Sequence, residues 1–146
     1  MDSPSAFFPL EALEPFQASP PQVIFVTTQA SDLVANPTTE VAILPLRENL
    51  TQDEIAAASN ESAVFGAALL DAPAPVAYTG NMALTYKSSW AAGTPKNRLV
   101  MIIGWREVQN HLDAMKSAVF QDNLKPISDK IGGDMDVKHF QWKYVE

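Results

Sequence analysis

The run Arg98–Trp105, RLVMIIGW, is apolar from Leu99 to Ile103, with no polar residue alternating through it. A strand with one wet face shows a period of two, so this segment must be covered on both sides. Its length and its bounds favour a strand over a helix: the loop-like AAGTPKN (91–97) precedes it, and a helix-period pattern follows. A second run, EVAILPL (40–46), has the same character. Two such strands call for a sheet with a layer on each face, and few folds supply that.

The rest of the chain narrows the choice. TQDE (51–54) reads as a capping box, Thr51 at the N-cap and Glu54 three residues on, opening a helix that runs toward FGAALL (65–70). DAPAP (71–75) breaks it. VAYTGNMALTYK (76–87) alternates, with Tyr78, Met82, Leu84 and Tyr86 on one side and Thr79, Asn81, Thr85 and Lys87 on the other. After RLVMIIGW comes one helix, 106–124, then a turn at IGGD (131–134) and a last alternating strand, MDVKHFQWKYV (135–145). The order is βαββαβ, a ferredoxin-like α+β unit with an antiparallel sheet. In that arrangement the first and third strands are central, and these are the two unbroken apolar runs. Pro45 removes a ladder donor and so marks the end of its strand or a bulge.

Two helices cover only one face of such a sheet. The other face needs the N-terminal segment or an identical sheet from a second copy. The second copy is the expectation, because a proline-rich stretch of roughly 40 residues is small for the task. Residues 1–39 are that stretch: Pro4, Pro9, Pro15, Pro20, Pro21 and Pro37 leave little room for helix, and QVIFVTT (22–28) is strand-like. They read as an extension packed on the 40–146 domain, since Phe7, Phe8, Phe16 and Phe25 would otherwise lie in water.

Composition excludes several classes. A net charge of −7 with ten scattered basic residues gives no nucleic-acid surface. No apolar run approaches the ~18 residues of a membrane span. The acidic, proline-broken N-terminus is neither a secretory signal nor a transit peptide, and the absence of cysteine suits a reducing compartment, so the expected location is cytoplasmic. Without a secretion signal, the sequons at Asn49 and Asn60 read as chance matches.

TEVAILPLRENLTQDE and MIIGWREVQNHLDAMKSAVFQDNLKPI resemble the dimeric α/β-barrel superfamily. The nearest likenesses are small fungal barrel proteins, antibiotic-biosynthesis-monooxygenase-like proteins and stress-responsive barrel domains. An apolar strand ending in Gly104-Trp105, then Glu107, and a helix bearing His111 and Phe120 carry the resemblance, which spans Thr39 to Val145. It implies a homodimeric barrel with a pocket between helix and sheet. It implies little about function, because the superfamily holds cofactor-free monooxygenases, cyclases, isomerases, decarboxylases, haem-degrading enzymes and inactive members.

Val108, Leu112, Met115 and Val119 define the buried stripe of the last helix, and His111 falls at its margin. An imidazole there suits proton abstraction from a phenol or a 1,3-dicarbonyl carbon; the alternative is a half-buried histidine bonded to a backbone carbonyl. His111 and Tyr78 are the catalytic candidates. Trp105, Tyr86, Trp90, Met115, Phe120 and His139 are the substrate-binding ones, with Trp105 expected at the pocket mouth. His139 lies opposite the aromatic face of the last strand (Phe140, Trp142, Tyr144), toward solvent or the dimer seam. Two histidines on different elements with no carboxylate at ligand spacing make a poor metal site, and no nucleotide or serine-hydrolase motif occurs. The expectation is a cofactor-free enzyme on a small hydrophobic polyketide- or terpenoid-like intermediate, a cyclase, isomerase or dehydratase. A cofactor-free monooxygenase and a non-catalytic ligand-binding or stress-related barrel are the alternatives.

Overall fold

A computed structural model describes residues 31, 35–74, 80–90 and 98–141. The extension, its QVIFVTT stretch and its phenylalanines fall outside these residues, apart from positions 31 and 35–39. So do Tyr78, Asn97, Trp142 and Tyr144.

Strands β1 (Thr38–Pro45), β2 (Thr85–Trp90), β3 (Arg98–Trp105) and β4 (Asp136–Gln141) form one antiparallel sheet in the order β2-β3-β1-β4. The two unbroken apolar runs are thus the central strands, and the fold is ferredoxin-like α+β. Pro45 is the last residue of β1, where its missing donor costs no ladder bond, and its carbonyl accepts from Gly132 at 2.9 Å.

Helix α1 (Gln52–Asp71) starts at the expected capping box: Thr51 Oγ1 accepts from the Glu54 amide at 3.2 Å, and Glu54 Oε2 accepts from the Thr51 amide at 2.7 Å. The single helix expected over 106–124 is two, α2 (Val108–Ala114) and α3 (Ala118–Ser128). Ser117 makes the break. Its hydroxyl donates to the Ala114 carbonyl at 2.7 Å, closing α2, and accepts from the Phe120 amide at 3.1 Å, opening α3. That turn re-aims Phe120 at the sheet.

Of the alternation expected over 76–87, residues 76–79 lie outside the described residues, and among the rest the strand starts at Thr85. Met82 and Ala83 are consecutive yet both buried, because their amides donate to the Ala72 and Leu69 carbonyls at the end of α1 and not to a neighbouring strand. The helices lie on one face, where Leu44, Leu99, Met101, Ile103, Phe65 and Leu69 form the core. Lys130 of the α3–β4 turn pins α1 through a half-buried pair with Glu61, Nζ to Oε2 2.6 Å.

The register gives the second face a narrow apolar centre, Val41, Ile43, Val100 and Ile102, between Lys87 and Ser89 on β2 and Asp136 and Lys138 on β4. Val100 and Ile102 are 2% and 5% exposed within the single chain, so their burial does not wait for a second copy. Among the described residues no helix is long and apolar enough to cross a membrane.

Candidate active site

Glu40 lies near the start of β1, in phase with Ala42 and Leu44, and therefore points from the sheet toward the helices. Antiparallel register sets His139 of β4 directly opposite it. At the end of β3, Trp105 is fully buried, and its Nε1 donates to Glu40 Oε2 at 2.6 Å. The chain then turns into α2, which lays the His111 ring on the Trp105 indole, centroids 5.1 Å apart and planes 23° from parallel. His111 Nδ1 comes within 3.3 Å of Glu40 Oε2 and 2.9 Å of His139 Nε2, and His139 Nε2 is 3.9 Å from the same carboxylate oxygen.

Burial disfavours charge on every member. It pushes the Glu40 carboxyl up to about 7, against the lowering effect of the Trp105 bond. Burial, and then the neighbouring His139, push His111 down to about 4, and burial also lowers His139. Glu40 and His111 stand at ion-pair distance, but the separated charges would have to exist in a dry site, which costs several kcal/mol per ion. The neutral acid with neutral imidazole is therefore the form the environment favours. The charged pair differs from it only by the position of one proton.

This pair sits at the polar end of a small cavity of about 80 Å³. Ala42, Leu44, Met101 and Ile103 line it from the sheet, and Phe65, Phe120 and Leu124 from the helices. Met115, Met135 and Val137 stand at its rim, each 37–50% exposed. The lining suits an apolar group. Phe120 packs edge-on against Phe65 at 5.0 Å and lies 5.9 Å from His111.

The structure brings His111, Met115 and Phe120 together at the cavity, with His139 beside them. It places the other described aromatic candidates elsewhere. Trp105 is not at a pocket mouth: it lies beneath His111 as the support for that ring and for Glu40. Tyr86 is packed on Phe65 with its hydroxyl 2.7 Å from Ser62 Oγ, and Trp90 Nε1 donates to Ser59 Oγ at 2.9 Å; neither lines the cavity. The faces of β4 are the reverse of those expected. His139 and Val137 face the helices, whereas Phe140 lies on the second face and is 45% exposed.

Glu40 is the residue the sequence reading missed. The signal was present: one carboxylate in phase with the core-facing side of an otherwise apolar central strand. With it, Glu40, His111 and His139 bring one ligand atom each to within 4.8 Å of one another, so the carboxylate that seemed lacking for the two histidines is supplied by the fold.

No family model matches the sequence, and no curated protein does. Solved structures match the fold. A candidate antibiotic biosynthesis monooxygenase from Nitrosomonas europaea superposes with a TM-score of 0.55 at 9% identity, over 73% of this chain and 99% of that one. A second candidate of that description, from Deinococcus radiodurans, gives 0.55 at 8% identity over 75% and 95%. A dimeric protein of unknown function with a ferredoxin-like fold, from Bacteroides fragilis, gives 0.52 at 11% identity over 72% and 95%. The structural neighbours are thus ferredoxin-like and antibiotic-biosynthesis-monooxygenase-like, as the resemblance around Gly104-Trp105 and His111 implied, and it is their fold that this chain shares.

Proposed function

We propose that the chain is a cofactor-independent acid–base enzyme of secondary metabolism, a cyclase, isomerase or dehydratase acting on a hydrophobic polyketide- or terpenoid-like intermediate. The observation that carries this reading is the Glu40–His111 pair at the one polar end of an apolar cavity. Neutral His111 accepts a proton from an acidic carbon or phenol of the bound substrate. Glu40, protonated at rest, donates its proton to a second atom of the substrate and is reprotonated by the His111 imidazolium, and Trp105 and His139 hold the two in place. The apolar walls fix the substrate's shape, and orientation of this kind lowers a barrier by several kcal/mol. We place the protein as a homodimer in the cytoplasm, in line with the neighbours described as dimeric.

The names of the neighbours favour one further reading, a cofactor-free monooxygenase in which the deprotonated substrate reacts directly with O₂. One experiment addresses both. A conjugated 1,3-diketone such as benzoylacetone serves as probe, with enolisation followed in D₂O and oxygen uptake followed in parallel. The acid–base reading expects catalysed exchange without oxygen uptake, with a loss of 10²-fold or more in His111→Ala and Glu40→Gln. Oxygen uptake would favour the monooxygenase. Binding of the probe with no catalysed exchange and no oxygen uptake would make the barrel a carrier.

A further inference from the structure

The three ligand atoms of the polar cluster form a triangle with sides of 2.9, 3.3 and 3.9 Å. The circle through its corners has a radius of about 2.0 Å, so a point at its centre lies at zinc–nitrogen and zinc–oxygen bonding distance from all three atoms. We infer that Glu40, His111 and His139 form a binding site for a single divalent first-row transition-metal ion of the zinc class, held by two imidazoles and one carboxylate.

Three features beyond the spacing support it. The donors come from three separate elements, β1, α2 and β4, whose positions are set by sheet register and by the stacking of His111 on Trp105, so no rearrangement is needed to gather them. Trp105 Nε1–H bonds Glu40 Oε2, the outer-shell contact that orients a ligating carboxylate and leaves its other lone pair for the ion. His139, with its side chain 21% exposed, gives the site a path to solvent, and the cavity beside Glu40 and His111 leaves room for water or a substrate oxygen to complete the coordination. Two nitrogens and one oxygen select zinc, copper, nickel or iron over magnesium and calcium, which take oxygen ligands throughout.

The ion occupies His111 Nδ1 and Glu40 Oε2, atoms that the proposed function uses. Resting on the acid–base reading above, metal loading is then a brake: the loaded protein binds substrate in its cavity but cannot move the proton. Binding itself does not depend on that reading.

The test uses the full chain, stripped with a chelator. Zinc is titrated by calorimetry, cobalt(II) by its visible absorption, and magnesium serves as the control ion. The expected result is one zinc or cobalt ion per chain, no magnesium binding, and at least a tenfold weaker affinity in His139→Ala, a variant at a half-exposed edge-strand position that leaves the core intact. Trp105→Phe should weaken binding by tenfold or more through the outer shell. Zinc should also raise the melting temperature of the wild type, and not of His139→Ala. No stoichiometric binding, or equal binding by His139→Ala, overturns the site. Benzoylacetone exchange measured on the same samples separates the two readings. Stoichiometric zinc binding by a chain that is inactive when stripped removes the acid–base reading and leaves the metal site standing. Exchange without zinc binding does the reverse.

Discussion

Trp105 Nε1 donates a 2.6 Å hydrogen bond to Glu40 Oε2, joining the ends of the two central strands inside the sheet–helix layer. Both side chains are almost fully buried, so this bond is what makes a carboxylate tolerable at that depth. Replacing the indole removes the donor and leaves the acceptor dry. Trp105→Phe should therefore destabilise the chain by about 1–3 kcal/mol, measured by urea unfolding. Because the bond lowers the Glu40 titration, its loss should push that carboxyl higher still, seen as a protonated C=O stretch persisting further into alkaline solution.

The Glu40–His111 pair predicts an unusual pH profile for the metal-free protein. Glu40 titrates at about 7 against an ordinary 4.5, so the stability it contributes is full below 4.5 and is lost as pH rises through 7. His111 titrates at about 4 against an ordinary 6.5, so its contribution is full above 6.5 and is lost as pH falls through 4. Where the windows overlap, the slopes oppose each other and the wild type should be nearly flat. Glu40→Gln should expose the histidine slope, with stability rising with pH between 4 and 6.5. His111→Asn should expose the opposite one, falling between 4.5 and 7. Each slope approaches about 1.4 kcal/mol per pH unit at most. Unfolding free energies across the range check this, and three parallel profiles would refute the pairing.

Gly66 lies in the middle of α1, where alanine would ordinarily gain up to about 1 kcal/mol. Here a Cβ would overlap the Tyr86 ring. That ring cannot swing aside, because its hydroxyl is held by Ser62 and its face by Phe65. Overpacking should win, and Gly66→Ala should cost about 1–3 kcal/mol. Tyr86→Ala in the Gly66→Ala background should cost less than the sum of the single changes.

The dimer is open to a direct measurement. Sedimentation at micromolar concentration should give twice the chain mass of 15.9 kDa. Lys87→Glu and Lys138→Glu, which flank the apolar strip of the second face, should weaken association more than they alter the unfolding midpoint of the dilute protein. A lone 15.9 kDa particle would overturn the dimer.

Much of the architecture was legible in the sequence because it rests on periodicity. The unbroken runs at 40–46 and 98–105 named the two central strands, Thr51 and Glu54 marked the start of α1, and Pro45 marked the end of β1. Those signals are local, and local sterics and hydrogen bonding enforce them. Ser117 was harder to read: a serine within an apolar period is compatible with a continuous helix, and only its bonds to Ala114 and Phe120 show that it divides two.

The site was decided by tertiary structure. Glu40, Trp105, His111 and His139 lie on four elements up to 99 residues apart, and no spacing rule connects them. Two of them meet because antiparallel register sets Glu40 opposite His139, and the third arrives because α2 folds back over Trp105. Which face of β4 turned inward was likewise a matter of register: a one-residue slip would put Phe140 at the helices and His139 on the second face. The sequence by itself determined that two strands would be buried and where the helices would begin. The approach of Glu40, His111 and His139 to within 4 Å of one another came only when distant residues were packed together at the buried edge of the sheet–helix layer.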